Sequence, residues 1–262
     1  MRDLDRSNAY VLSVDGVPQS HVDLDDPTDL DFEYVRWIAD IADVAAPAGN
    51  PLRVLHLGGG AATMARYIAV TRPGSKQTAA EIDDLLVDLV RKRIGYDVPG
   101  LKVRIIDGRE LVAGRRKESA DLIVVDAFAG AELPLHLATA EFTEDVARVL
   151  RPSGVHVVNV GDGTGLMFAR RVAATLAGTY PHVVVLTDPG VLRGRRFGNV
   201  VLAAGQTPLP AAELARVAAG RLPARGTLLD GERLRRWYGR AAVLRDGEQT
   251  AVPLLPDSLW PD

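Results

Sequence analysis

Four clusters in the middle of the chain carry the groups that could do chemistry. Leu57-Gly58-Gly59-Gly60-Ala61-Ala62 is a glycine turn. Glycines let backbone approach a ligand closely, and a helix opening after them offers N–H groups that favour anionic or electron-rich atoms. Glu81 stands 21 residues beyond Gly60, with Ile82 and Asp83 beside it. An acid at that distance, ending the next strand, is placed to accept hydrogen bonds from both hydroxyls of a ribose. Asp107-Gly108 pairs a carboxylate able to accept from the exocyclic amine of adenine with a glycine that leaves room and offers its N–H. The same aspartate reads equally well as a cap on the following helix. Asp126-Ala127-Phe128-Ala129 sets an acid where a reactive carbon would lie, and Phe128 either covers a ligand or packs.

Glycine turn, ribose acid, adenine acid and a last acid, in that order, point to a nucleoside without phosphates. Gly161-Asp162-Gly163-Thr164-Gly165 has the glycines of a phosphate loop but lacks its lysine. Thr63 stands where a dinucleotide fingerprint has its third Gly or Ala, and a second nucleotide-binding half is missing. Both argue against a nicotinamide-dependent dehydrogenase.

The elements that must position these groups follow from periodicity. Tyr10–Val14 and Val17–Val22 read as two short strands around an Asp15-Gly16 turn. The acidic run Asp23–Glu33 leads into a helix expected over about Thr28–Val44, with Leu30, Tyr34, Trp37, Ile38 and Ile41 at helical spacing. Strands and helices then alternate. Strands are expected at Val54–Leu57, Gln77–Ile82, Val103–Ile106, Asp121–Val125 and Val155–Val160; helices at Ala62–Val70, Asp83–Arg93, Phe142–Leu150 and Gly165–Leu176. Leu85, Leu86, Leu89 and Val90 mark the expected inner face of the second of these helices. His182–Leu186 and Asn199–Ala203 form a closing hairpin, because the glycines and proline of residues 187–198 leave no room for a helix. The pattern predicts an α/β, Rossmann-like fold with a mostly parallel seven-stranded sheet, its last strand antiparallel, preceded by a small N-terminal β-hairpin. Residues 1–27 hold the hairpin, 28–206 the nucleoside-binding domain, and 207–262 a C-terminal helical appendage with helices near 211–219 and 230–238.

Composition narrows the rest. Of 262 residues 47% are apolar and 25% charged, which supports a sizeable core, and the net charge of −3 disfavours gripping nucleic acid. Four lysines among 31 basic residues and abundant alanine reflect compositional bias more than arginine chemistry. There is no cysteine, hence no disulfide or thiolate site. His21, His56, His136, His156 and His182 show no metal-ligand spacing, and no metal is expected; His56 and His156 lie in strands as packing residues. Met1–Arg6 is too polar for a signal peptide and no run approaches 18 apolar residues, so a soluble, cytoplasmic protein without membrane contact is expected.

These residues resemble the spermidine synthase family, the polyamine aminopropyltransferases, within the class I S-adenosylmethionine-dependent methyltransferase fold. The resemblance covers about residues 10–204. It rests on Val14-Asp15-Gly16-Val17-Pro18-Gln19, Phe32-Glu33-Tyr34, Leu57-Gly58-Gly59-Gly60, Glu81-Ile82-Asp83, Asp107-Gly108, Asp121–Asp126, Phe142-Thr143 and Leu150–Gly154. It implies that Gly58, Gly59, Gly60, Glu81, Ile82, Asp107, Gly108 and Asp126 hold an adenosyl-sulfonium donor, either decarboxylated S-adenosylmethionine or S-adenosylmethionine. It further implies that Gln19, Tyr34 and Phe128 meet an acceptor, an amine in the family, that Asp126 is catalytic, and that the protein is a homodimer.

The chain departs from the family pattern at positions that meet amines. Ala61 replaces the aspartate of the glycine loop that pairs with the donor amine. Ala129 replaces the second aspartate after strand four, usually taken as the catalytic base. Val35 replaces the polar residue after the helix tyrosine. Asp162, Glu132 or the Asp23–Glu33 run are the acids left to compensate. Without an acid at position 61, the turn tolerates the carboxylate of intact S-adenosylmethionine. Aminopropyl transfer, methyl transfer and a non-catalytic binding role therefore all remain open.

Overall fold

The computed structural model describes residues 6–14, 17–128, 133–220 and 225–250. β1 (Ala9–Val14) and β2 (Val17–Asp23) pair as an antiparallel hairpin; the Asp15-Gly16 turn expected between them lies outside the described residues. The acidic stretch that follows stays a loop. Asp23 Oδ1 accepts from the N–H groups of Asp25 and Asp26, and Asp26 Oδ1 from the N–H and hydroxyl of Thr28. Such side-chain bonds to backbone compete with helix formation. The first helix, α1 (Glu33–Val44), therefore begins later than Thr28.

The alternating section gives β3 (Arg53–Leu57), α2 (Thr63–Thr71), β4 (Lys76–Glu81), α3 (Asp84–Arg93), β5 (Leu101–Ile105), α4 (Gly108–Ala113), β6 (Ala120–Val125), α5 (Ala140–Val149), β7 (Leu150–Asp162) and α6 (Met167–Thr179). It closes with β8 (His182–Thr187), α7 (Pro189–Leu192) and β9 (Gly198–Gly205), before α8 (Ala211–Gly220), β10 (Thr227–Leu229) and α9 (Gly231–Tyr238). The strands lie in the order β5-β4-β3-β6-β7-β9-β8-β10. β3 to β7 are mutually parallel, and β9 runs antiparallel to both its neighbours. This is the expected mostly parallel sheet with an antiparallel closing strand.

The sheet is covered on both faces, which is why Val54–Leu57 of β3, Leu122–Val125 of β6 and Val155–Val160 of β7 are mostly Val, Ile and Leu. Leu57, Ile123, Val125 and Val158 point to one core with Phe142 and Phe168, under α4, α5, α6 and α9. Val54, Leu122, Val124 and Val157 point to the other with Trp37, Ile38 and Ile68, under α1, α2 and α8.

Three local expectations are corrected. The β8–β9 connection does contain one helical turn, α7, because Asp188 caps it by accepting from the N–H of Gly190 and Val191 and Pro189 supplies a preset φ. On α3 the buried residues are Val87 and Val90, whereas Leu85 and Leu89 are 77% and 47% exposed. Asp83 caps that helix by accepting from the N–H of Leu86. The C-terminal segment is more than helical: β10 pairs with β8 as an eighth strand, and Leu244 is fully buried. Its last described stretch is tied down by Asp246, paired through both oxygens with Arg109, and by Glu248, paired with Arg171. Among the described residues no helix is long and apolar enough to cross a membrane.

Candidate functional site

The carboxyl ends of β3, β4, β5 and β6 lie side by side at one edge of the sheet, where the strand order reverses between β3 and β6. Open α/β sheets bind ligands at this place. The turn after β3 runs tight against its neighbour. Gly58 has φ +105°, and a Cβ there would sit 2.2 Å from the Asp126 carbonyl oxygen, so a side chain is sterically impossible. Glu81 at the end of β4 braces the turn: its Oε2 accepts from the N–H of Gly59 (2.9 Å) and of Gly60 (3.2 Å), and its Oε1 accepts from the N–H of Asp83. An ionised carboxylate has about four acceptor positions, so these contacts leave capacity for further donors.

Thr63, the residue that breaks the dinucleotide fingerprint, has a local purpose. Its hydroxyl donates to the His21 carbonyl (2.8 Å) and receives the Ser20 hydroxyl (2.9 Å). The N-terminus of α2 is thereby bonded to β2, and the hairpin is held over the glycine turn.

After β5, Asp107 caps α4, Oδ1 accepting from the N–H of Arg109 and Glu110. Its Oδ2 lies 2.9 Å from His136 Nε2. Burial works to raise the Asp107 pKa, but the His136 and backbone hydrogen bonds outweigh it and hold the carboxyl below its usual range. Gly108 is buried against Leu57 and Leu137. The capping role weighed from sequence is thus present, on the same aspartate that lines the cleft.

Asp126, ending β6, is in a different state. Burial raises its pKa to about 6, opposed by a hydrogen bond from Asn159 Nδ2 (2.8 Å) on β7. Tyr34 of α1 is pushed well above the ordinary tyrosine value by burial and then by the charge of Asp126, and its hydroxyl lies 3.4 Å from the Gln19 carbonyl oxygen.

The structure brings all the sequence-predicted site residues to one cleft of about 450 Å³: Gln19, Tyr34, Gly58, Gly59, Gly60, Glu81, Ile82, Asp107, Gly108, Asp126 and Phe128. A volume of this size suits a small organic ligand. Ala61 and Val35, the departures from the family pattern, line it too. Ala129 and Glu132 lie outside the described residues. Asp162 is turned away, its oxygens accepting from the N–H of Gly163 and Ala169. Within the acidic run, Glu33 faces Arg196 at 3.6 Å across a side pocket on the far side of Tyr34. His136 and Asn159 were not singled out in the sequence. Asn159 left a signal, as the polar residue in the apolar run Val157–Val160; His136 left none.

The strand histidines pack, as read from the sequence. His56 is held by Gln77 (2.8 Å) and burial lowers its pKa to about 4; His156 packs edge-on against Phe142 and Tyr180, and burial lowers its pKa to about 3. Among the described residues no three His, Cys, Asp or Glu side chains converge as a metal site would require.

A family model described as the spermine/spermidine synthase domain matches residues 31–166. The polyamine aminopropyltransferase of Chromobacterium violaceum is 31% identical over 243 residues, covering 90% of this chain and 86% of that protein. Putrescine N-methyltransferase 2 of Nicotiana attenuata is 32% identical over 133 residues, covering 47% of this chain and 34% of that protein. Among solved structures, a probable spermidine synthase from Corynebacterium glutamicum matches with a TM-score of 0.88 at 35% identity, over 98% of this chain and 94% of that one. Human methyltransferase-like protein 13 in complex with SAH shares the fold, with a TM-score of 0.56 at 21% identity over 82% of this chain and 96% of that one.

Proposed function

Because the chain belongs to the spermine/spermidine synthase family, we propose that it is a transferase that moves an aminopropyl group from decarboxylated S-adenosylmethionine to an amine. The observation that carries this reading is the meeting of three carboxylates, Glu81, Asp107 and Asp126, with the glycine turn in one cleft. Glu81 accepts from the ribose hydroxyls while bracing Gly59 and Gly60. Asp107 and Gly108 meet the adenine, and Ile82 packs beside it. In the reaction the amine lone pair forms a bond to the propyl carbon beside the sulfonium, the C–S bond breaks, and its electron pair stays on sulfur as a thioether. The new ammonium then gives up a proton. Asp126 is the group we assign to orient the amine and take that proton, since a carboxyl with a pKa of about 6 is mostly ionised at neutral pH yet basic enough to be useful. Gln19, Tyr34 and Phe128 border the acceptor, and the working unit is a homodimer.

Methyl transfer is the second reading, and Ala61 favours it. This buried residue lines the cleft where the family carries an aspartate. An apolar position beside helix N–H groups accepts the carboxylate of intact S-adenosylmethionine, and one relative is named a putrescine N-methyltransferase. Calorimetry with both donors and with methylthioadenosine, followed by assay of thioether release with diamines, decides. Tighter binding and turnover of the decarboxylated donor are expected. Preference for intact S-adenosylmethionine replaces the first reading by the second, and no binding of any of the three leaves a non-catalytic family member.

A further inference from the structure

β7 runs through the middle of the sheet, and Val157, Val158, Asn159 and Val160 along it are almost fully buried; Asn159 has no exposed surface. Its Nδ2 donates to Asp126 Oδ1 at 2.8 Å, whereas its own Oδ1 is buried without a partner among the described residues. An orphaned buried amide oxygen is costly. A valine, like those around it, would avoid that cost, so packing alone does not account for an asparagine here. What the side chain supplies is a single directed donor to the carboxylate that ends the next strand.

We propose that Asn159 is a positioning residue for Asp126, its amide fixing one carboxylate oxygen so that the other is presented to the reacting amine. The assignment rests on Asp126 acting in the transfer reaction. Geometry and charge agree. The two residues sit on adjacent parallel strands, with Val158 of β7 level with Val125 of β6, so Asn159 and Asp126 follow that pair directly. A donor held by a sheet register does not move when a ligand enters. The titratable side chains lining the cleft around Asp126 are Tyr34, His56, Glu81, Asp83, Asp107 and His136. Tyr34 is the one whose ionisation responds to Asp126, and a neutral phenol does not replace the Asn159 donor. Burial drives Asp126 toward protonation and the Asn159 hydrogen bond opposes it. Loss of the donor therefore leaves less of the basic form at neutral pH.

The test reads Asp126 directly, by carboxyl 13C NMR titration of the full chain, in the wild type and in Asn159→Val and Asn159→Ala. Two variants are used so that a folding failure of one leaves the other. The Asp126 titration is expected to move up by about one to two pH units when the donor is removed, as for loss of a hydrogen bond to a charged group. In turnover the acid limb moves by the same amount, kcat falls about 3- to 25-fold near pH 6.5 with little change in donor affinity, and activity recovers at pH 8.5. An unmoved Asp126 titration overturns the proposal. A shifted titration in a protein that turns over no donor sustains the Asn159–Asp126 coupling while removing the transferase reading, so the two failures are distinct.

Discussion

The Thr63 hydroxyl on α2 donates to the His21 carbonyl of β2 at 2.8 Å. This bond joins the N-terminal hairpin to the helix that opens after the glycine turn, and the Ser20 hydroxyl makes a second contact to the Thr63 hydroxyl. Leu12, Gln19 and Ser20 of the hairpin line the cleft, so the bond also fixes one wall of the site. Thr63→Val keeps the volume and removes this donor to the His21 carbonyl. We expect methylthioadenosine to bind about 3–30-fold more weakly, with global stability reduced by only about 1 kcal/mol. Calorimetry and a urea melt check both; a large loss of stability with unchanged affinity would show that the hairpin serves the fold and not the cleft.

Glu81 is tied to the backbone of the turn it faces. Glu81→Ala removes both the proposed ribose acceptor and the brace on the N–H groups of Gly59 and Gly60. Nucleoside affinity is expected to fall by about 1–3 kcal/mol, as for loss of hydrogen bonds to a charged group. Glu81→Gln retains one acceptor oxygen and should lose less. Equal losses in both, measured by calorimetry with methylthioadenosine, would mean that charge and not hydrogen-bond number matters at this position.

The sheet was legible because its central strands are short apolar runs ending in Gly or Asp, and a two-faced parallel sheet demands such runs. Helices α8 and α9 fall where short helices were expected, near 211–219 and 230–238. Elements set by side-chain capping were not: Asp23 and Asp26 delay α1, and Asp188 builds α7. Nor was the inner face of α3, where Leu85 and Leu89 are exposed while Val87 and Val90 are buried. β10 is three residues long, below what alternation can reveal. The site acids were readable because each ends a strand at the same sheet edge. Their states were not, since the His136 contact that holds Asp107 ionised and the Asn159 contact to Asp126 come from other elements that only the tertiary fold brings near.

Ala61 offers a direct handle on donor choice. It lines the cleft with almost no exposed surface, next to the first turn of α2. Ala61→Asp adds a negative charge that attracts the amine of the decarboxylated donor and repels the carboxylate of intact S-adenosylmethionine. The ratio of kcat/KM for the two donors should shift toward the decarboxylated one by at least 10-fold, about 1.4 kcal/mol. Stability should fall somewhat because a carboxylate is being buried. An unchanged ratio in a folded variant would place the methionine end of the donor away from Ala61.

Asp126 should show opposite effects on stability and on activity. Its folded-state pKa of about 6 lies above the ordinary aspartate value of 3.8. A group raised in this way favours the folded state at pH values below the unfolded pKa, and that contribution is lost as pH rises through the folded pKa. At pH 7 to 8 the desolvated, part-buried carboxylate therefore costs stability, on the order of 1–3 kcal/mol. Asp126→Asn removes the charge, and its side-chain carbonyl still accepts from Asn159 Nδ2. We expect the variant to be more stable than the wild type at pH 8, with the gap narrowing through pH 6 and vanishing near pH 4. Urea melts at the three pH values measure the gap. Turnover should drop about 100-fold or more, because the amide cannot take a proton from the amine. A wild type with an acid limb near pH 6 and a variant without one would tie both effects to the same ionisation. A stability gap that does not depend on pH would show that Asp126 is not buried as a charge, and the assignment of the proton acceptor would fall with it.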